Sequence, residues 1–144
     1  MRRKLCGITG LSLVTIATII AAHSIAQASL IYAGGYLILS GVCGVLITYV
    51  FCAKCPIKTV CAHIIPGLLA RIWPDKQGPY TRWELFFTAV LFALIILPPQ
   101  GFLVTEWKSG IIFWFCIIGA CLCSSCYLCP DCENRFCPFS GSAR

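Results

Sequence analysis

Four uninterrupted apolar runs constrain this chain more than any other feature. A bilayer's hydrocarbon core is about 30 Å thick and takes about 20 helical residues to cross. Gly7–Gln27, Leu30–Phe51, Trp83–Val104 and Ser109–Leu128 each reach that length, and Glu84 is the only Asp, Glu, Lys or Arg within them. Backbone N–H and C=O groups find no water in lipid, so each run is expected to be an α-helix. Composition agrees: 59% of the 144 residues are hydrophobic and 11% charged, against about 25% charged in a soluble domain. The expected fold is a single all-α integral membrane domain over residues 1–144, a four-helix transmembrane bundle.

The basic residues set an orientation. Arg2, Arg3, Lys4, Lys54, Lys58, Arg71, Lys76, Arg82, Arg135 and Arg144 fall at the termini or in the 52–82 loop, and only Lys108 falls between spans three and four. By the positive-inside rule both termini and the 52–82 loop are cytoplasmic, in a plasma or inner membrane. The net charge of +6 then marks topology, and a nucleic-acid partner is not expected. An alternative is that Arg2-Arg3-Lys4, the first run and Ala26-Gln27-Ala28 form a cleavable secretory signal. The run is long for a signal core, and a second span follows almost at once.

Packing signals accompany the spans. Gly10, Ala17 and Ser24 recur every seven residues in span one, as do Gly34, Gly41 and Thr48 in span two, and small residues at helical spacing let membrane helices approach closely. Two residues separate these spans, so an antiparallel hairpin is expected. Pro98-Pro99 should end or kink span three, because proline lacks an N–H and crowds the preceding turn. Between spans two and three, Cys61, Ile64, Ile65, Leu68, Leu69, Ile72 and Trp73 follow helical spacing, with Pro66 in the first turn. This pattern predicts a short amphipathic helix lying in the inner interface.

The cysteines carry the chemistry. Nine of the twelve fall in two stretches, 52–63 and 121–138. A secreted disulfide scaffold would suit the number, but both stretches lie on the face expected to be cytoplasmic, where disulfides are rare, so metal binding is the better explanation. The first stretch reads Cys52-x2-Cys55-Pro56-x4-Cys61-x-His63. The second contains Cys126-x2-Cys129-Pro130-x-Cys132-x4-Cys137-Pro138, and Cys126 follows Cys52 by 74 residues. Both hold Cys-x-x-Cys-Pro at the end of an even-numbered span. The chain therefore looks like two tandem helical hairpins, each followed by a cysteine motif, and a pseudo-twofold axis along the membrane normal would bring the motifs together.

The tail resembles the bacterial ferredoxin run C-x2-C-x2-C-x3-C-P, with one extra residue before the last cysteine. That resemblance implies a 4Fe–4S cluster on Cys126, Cys129 and Cys132, with Cys137 reaching a second site. Cys52, Cys55 and Cys61 would supply a fourth ligand or hold a second cluster. Zinc is the alternative, since Cys52, Cys55, Cys61 and His63, or Cys126, Cys129, Cys132 and Cys137, suit tetrahedral structural sites. Cys43 and Cys116 lie within spans and are expected to be packing residues. His23 is expected at the outer interface.

The layout also resembles the membrane part of NapH-type quinol-linked electron-transfer subunits, on Cys52, Cys55, Pro56 and Cys126, Cys129, Pro130. The spacing is x2 where that family has x3, and no ferredoxin domain follows. The resemblance implies a membrane subunit that relays electrons between quinol and a partner in a larger membrane complex, more a non-catalytic subunit than a stand-alone enzyme. Alternatives from other classes are a zinc-stapled membrane scaffold, a soft-metal transporter using Cys43, Cys116, Cys121 and Cys123, and a dithiol oxidoreductase using Cys126 and Cys129.

Overall fold

The computed structural model describes residues 2–55, 61, 63–74, 76, 78–129 and 137. Among them six α-helices follow one another: α1 Arg2–Ala28, α2 Leu30–Val50, α3 Ile64–Ile72, α4 Arg82–Ile96, α5 Gln100–Leu103 and α6 Trp107–Cys123. A 3₁₀ turn, Cys52–Lys54, follows α2, and a π turn, Ser124–Leu128, follows α6. No strand occurs among the described residues. Four helical stretches are long and apolar enough to cross a membrane: Lys4–Ala28, Leu30–Lys54, Arg82–Leu103 and Trp107–Tyr127. The last has 21 residues, which rise about 31 Å at 1.5 Å per residue.

The helices pack in an order that differs from their order in the chain. α1 packs most extensively on α6, and α2 packs on both α4 and α1. α4 and α6, consecutive spans, scarcely touch each other. The α1–α6 contact is built from the seven-residue stripe: Gly10, Ala17 and Ser24 are all buried. A Cβ on Gly10 would lie 3.9 Å from the Ala120 carbonyl oxygen and 4.0 Å from the Cys123 Cβ. Ala17, Ala21, Ala22 and Ile25 join Leu103, Phe113 and Cys116 in one apolar core. The second stripe behaves otherwise. Thr48 is buried, but Gly34 and Gly41 are exposed with open space around them. α2 buries Ala33, Tyr36 and Cys43 instead, because Tyr36 has a partner on the α4 side.

That partner follows from the prolines. Pro99 has no N–H for the Ile95 carbonyl, and the Tyr36 hydroxyl donates to that oxygen at 3.0 Å. The Gln100 N–H turns to Leu97, and its side-chain amide donates to the Ile96 carbonyl at 2.7 Å. The Ile95 and Ile96 carbonyls at the break are thus met by side chains, as a lipid environment favours. α5 steps inward from the line of α4, and Leu103 is buried against α1 and α6. At this end the Ser24 hydroxyl donates to Glu106 Oε2 at 2.9 Å and the Ser109 hydroxyl to the same oxygen at 3.2 Å, tying α1 to the start of α6.

Two substitutions check this packing. Ala21→Leu should force α1 off α6 and lower stability by about 1–3 kcal/mol. Tyr36→Phe should cost about 1 kcal/mol by leaving the Ile95 carbonyl unmet. Both are read from unfolding curves in mixed detergent micelles, where Leu37→Phe, on the exposed face of α2, should leave the midpoint unchanged.

Candidate metal centre

The first cysteine motif is a rigid corner. After α2 the chain makes one 3₁₀ turn, in which the Cys55 N–H donates to the Cys52 carbonyl at 3.1 Å. The Cys-x-x-Cys spacing is what lets a single turn close on itself and bring two thiols to one side. Lys54, inside the turn, reaches Glu84 of α4, with Nζ 2.8 Å from Oε2 and 3.0 Å from Oε1. Glu84 is itself held in a capping box: the Thr81 hydroxyl accepts from the Glu84 N–H, and Glu84 Oε2 accepts from the Thr81 N–H at 2.7 Å. Such reciprocal caps fix the first turn of a helix. The Tyr80 hydroxyl donates to the Phe51 carbonyl at 3.1 Å and its ring stacks on Phe51 at 4.5 Å. The motif is therefore clamped between the end of α2 and the start of α4.

Cys61 and His63 lead into α3. The Gly67 N–H donates to the His63 carbonyl at 2.9 Å, with His63 as the residue before the helix. α3 packs on α2 and on the 3₁₀ turn through Gly67 and Ala70, which are buried, while Ile65, Leu68 and Ile72 are 54%, 53% and 73% exposed. Burial pushes the His63 imidazole below its ordinary pKa. It is therefore neutral at pH 7 and keeps a lone pair, the form in which histidine binds metals.

The tail returns to this corner. Burial pushes the partly buried Cys52 thiol up to about 12, and the nearby Cys61, Cys55 and Cys137 thiols add to that rise in this order. Cys137 belongs to the second motif, so one residue of that motif comes near the first. The remaining predicted ligands are placed differently. Cys126, exposed, lies in the π turn, and Cys129, partly buried, follows it with its N–H donating to the Ser124 carbonyl at 2.8 Å. Pro56, Pro130, Cys132 and Pro138 lie outside the described residues. Among the described residues, no three His, Cys, Asp or Glu side chains stand close enough to hold a metal ion as they are. Cys55, Cys61 and Cys137 lie near enough to the Cys52 thiol to raise its pKa.

Cys43 and Cys116 are 2% and 5% exposed, within α2 and α6. His23 is exposed at the far end, 3.3 Å from Gln27. Sequence reasoning missed the Lys54–Glu84 pair, which matters most in positioning the site. The signal was available: a lone acid at the start of an apolar span needs a partner or a place at the interface. Glu84→Gln should free Lys54 from its counter-ion and cost about 1–2 kcal/mol, discounted from a fully buried pair because Glu84 is partly exposed. Lys54→Met with Glu84→Met should cost less than the single change, and a double-mutant cycle of unfolding midpoints reads the difference.

Comparison with protein-family models, with curated proteins and with solved structures finds no match to this chain.

Proposed function

We propose that this chain is a small integral-membrane redox subunit with a metal centre at its cysteine-rich, cytoplasmic end. The observation that carries this is that Cys61, Cys55 and, from the second motif, Cys137 lie near enough to Cys52 to raise its pKa beyond what burial does. Four thiols on two segments are the donor set of a cysteine-ligated 4Fe–4S cluster. In two-cluster ferredoxins the last cysteine of a run serves the other cluster, and Cys137 relates to the first motif in that sense. Cys126, Cys129 and Cys132 then form a second three-thiol set. Such a centre supplies one-electron chemistry. The chain's own contribution is a clamped corner that holds the first thiols beside the membrane, where a quinol and a partner subunit of a larger complex can exchange electrons through it.

The surrounding architecture supports the reading. α3 would lie flat in the lipid interface, with Ile65, Leu68 and Ile72 turned to the acyl region and Arg71 to the headgroups, holding Cys61 and His63 at that depth. A twofold axis along the membrane normal would exchange the α1–α6 contact with the α2–α4 contact, the relation two tandem hairpins would have. The α1–α2 contact has no equivalent of like extent between α4 and α6.

His63 favours a second reading. A neutral imidazole beside Cys61 completes a three-thiolate, one-histidine set of the kind that holds structural zinc, and the chain would then be a zinc-stapled membrane scaffold.

Anaerobic purification with iron, acid-labile sulfide and zinc analysis separates the two. The redox reading expects a brown protein with iron and sulfide in equal amounts, bleached by dithionite. Cys137→Ser and Cys52→Ser should each lower the iron content and that colour, and Cys43→Ser should leave both unchanged. Colourless protein with stoichiometric zinc supports the scaffold, and protein without either metal overturns both readings.

A further inference from the structure

The end of the bundle remote from the thiols carries a groove that the proposed function does not use. Because α5 steps inward after Pro99, an apolar groove of about 470 Å³ opens along α5 and α6, within the range of about 300–1,000 Å³ typical of ligand pockets. Gly110 makes its floor: a Cβ there would lie 3.1 Å from the Leu103 carbonyl oxygen, so the two helices meet at their backbones. Val104, Trp107, Trp114 and Ile118 form its walls. Its side stays open, since α4 and α6 scarcely touch.

Length and charge together identify the occupant. From Trp107 to Ile118 along α6 is about 16 Å, half of the hydrocarbon thickness of about 30 Å. That is the depth of one leaflet, which suits one acyl chain and is too short for a spanning helix of a partner. Beside the lining residue Trp107, Lys108 Nζ lies 5.9 Å from the centre of the indole ring. Lys108 is the only Lys or Arg between spans three and four. Among the described residues no carboxylate lies within ion-pair distance of it, and the nearby Glu106 accepts from Ser24 and Ser109 instead. A quinol here would sit too far from the thiols to serve them, since Trp107 to Cys123 alone spans about 24 Å of helix.

We propose that this groove binds one anionic phospholipid of the leaflet remote from the thiols, its acyl chain between Val104 and Ile118 and its phosphate at Lys108. Trp107 at headgroup depth fits the interfacial preference of indole. The site does not depend on the metal centre.

The test is native mass spectrometry of the full chain in delipidated detergent micelles, titrated with phosphatidylglycerol or with phosphatidylcholine. One phosphatidylglycerol per chain should be retained, with phosphatidylcholine about fivefold weaker. Lys108→Gln should remove that preference. Val104→Trp and Ile111→Trp, both at exposed groove positions, should each weaken retention about tenfold with unchanged helical circular dichroism. Equal retention of the two lipids by the unaltered chain overturns the headgroup assignment. Retention unaffected by both tryptophan variants, or a quinone retained in place of phospholipid, overturns the groove. Metal content, measured on the same samples, should be the same in all variants, so a failure of the metal centre would not be mistaken for a failure of this site.

Discussion

A carbonyl without a hydrogen bond is costly in lipid, and one such carbonyl organises this molecule. Pro99 frees the Ile95 oxygen, and the Tyr36 hydroxyl from α2 meets it. That bond joins α2 to α4, and Tyr36 is buried along α2 together with Ala33 and Cys43. The same break lets α5 step toward α1, which buries Leu103 in the core and parts α4 from α6. The groove beside Trp107 and Trp114 is what the parting leaves.

The opposite end depends on a different balance. Lys54 would carry an uncompensated charge at the edge of the apolar region, and Glu84 neutralises it. Because Glu84 also completes the cap of α4, one carboxylate ties the cysteine turn to the helix beside it. The thiols sit on a corner fastened from both sides, and Cys137 comes to that corner from the tail. A centre assembled there would join the loop between the spans to the end of the chain, so that its ligands come from segments far apart in sequence and adjacent only in the fold.

How much of this could be read beforehand varied with the physical source of the signal. The four spans were legible because length and apolarity alone decide what can cross a bilayer. The end of α4 was legible because proline's missing N–H is a local property, and α3 because its apolar residues recur at helical spacing. The stripe on α1 was read correctly, and Ala17 and Ser24 are buried as it implied. The matching stripe on α2 was misread at Gly34 and Gly41. A small residue permits close approach but does not create it, and Tyr36 chose the other face. At the site, spacing alone nominates the residues of both motifs as candidate ligands, whereas the Lys54–Glu84 clamp has no such local signature, because 30 residues separate its partners.

From the sequence alone came four helices long and apolar enough to cross a membrane, the place where one of them breaks, and the clustering of nine cysteines after the second and fourth. Each of those follows from hydrophobic length, from the chemistry of a single residue, or from the position of cysteines relative to the spans. Only the tertiary structure decided that α1 leans on α6 and α2 on α4, that Cys137 joins the first motif, and that a groove opens beside α5. Those depend on which helix faces which, and that is set by hydrogen bonds and close contacts between residues distant in the chain, which no local pattern encodes.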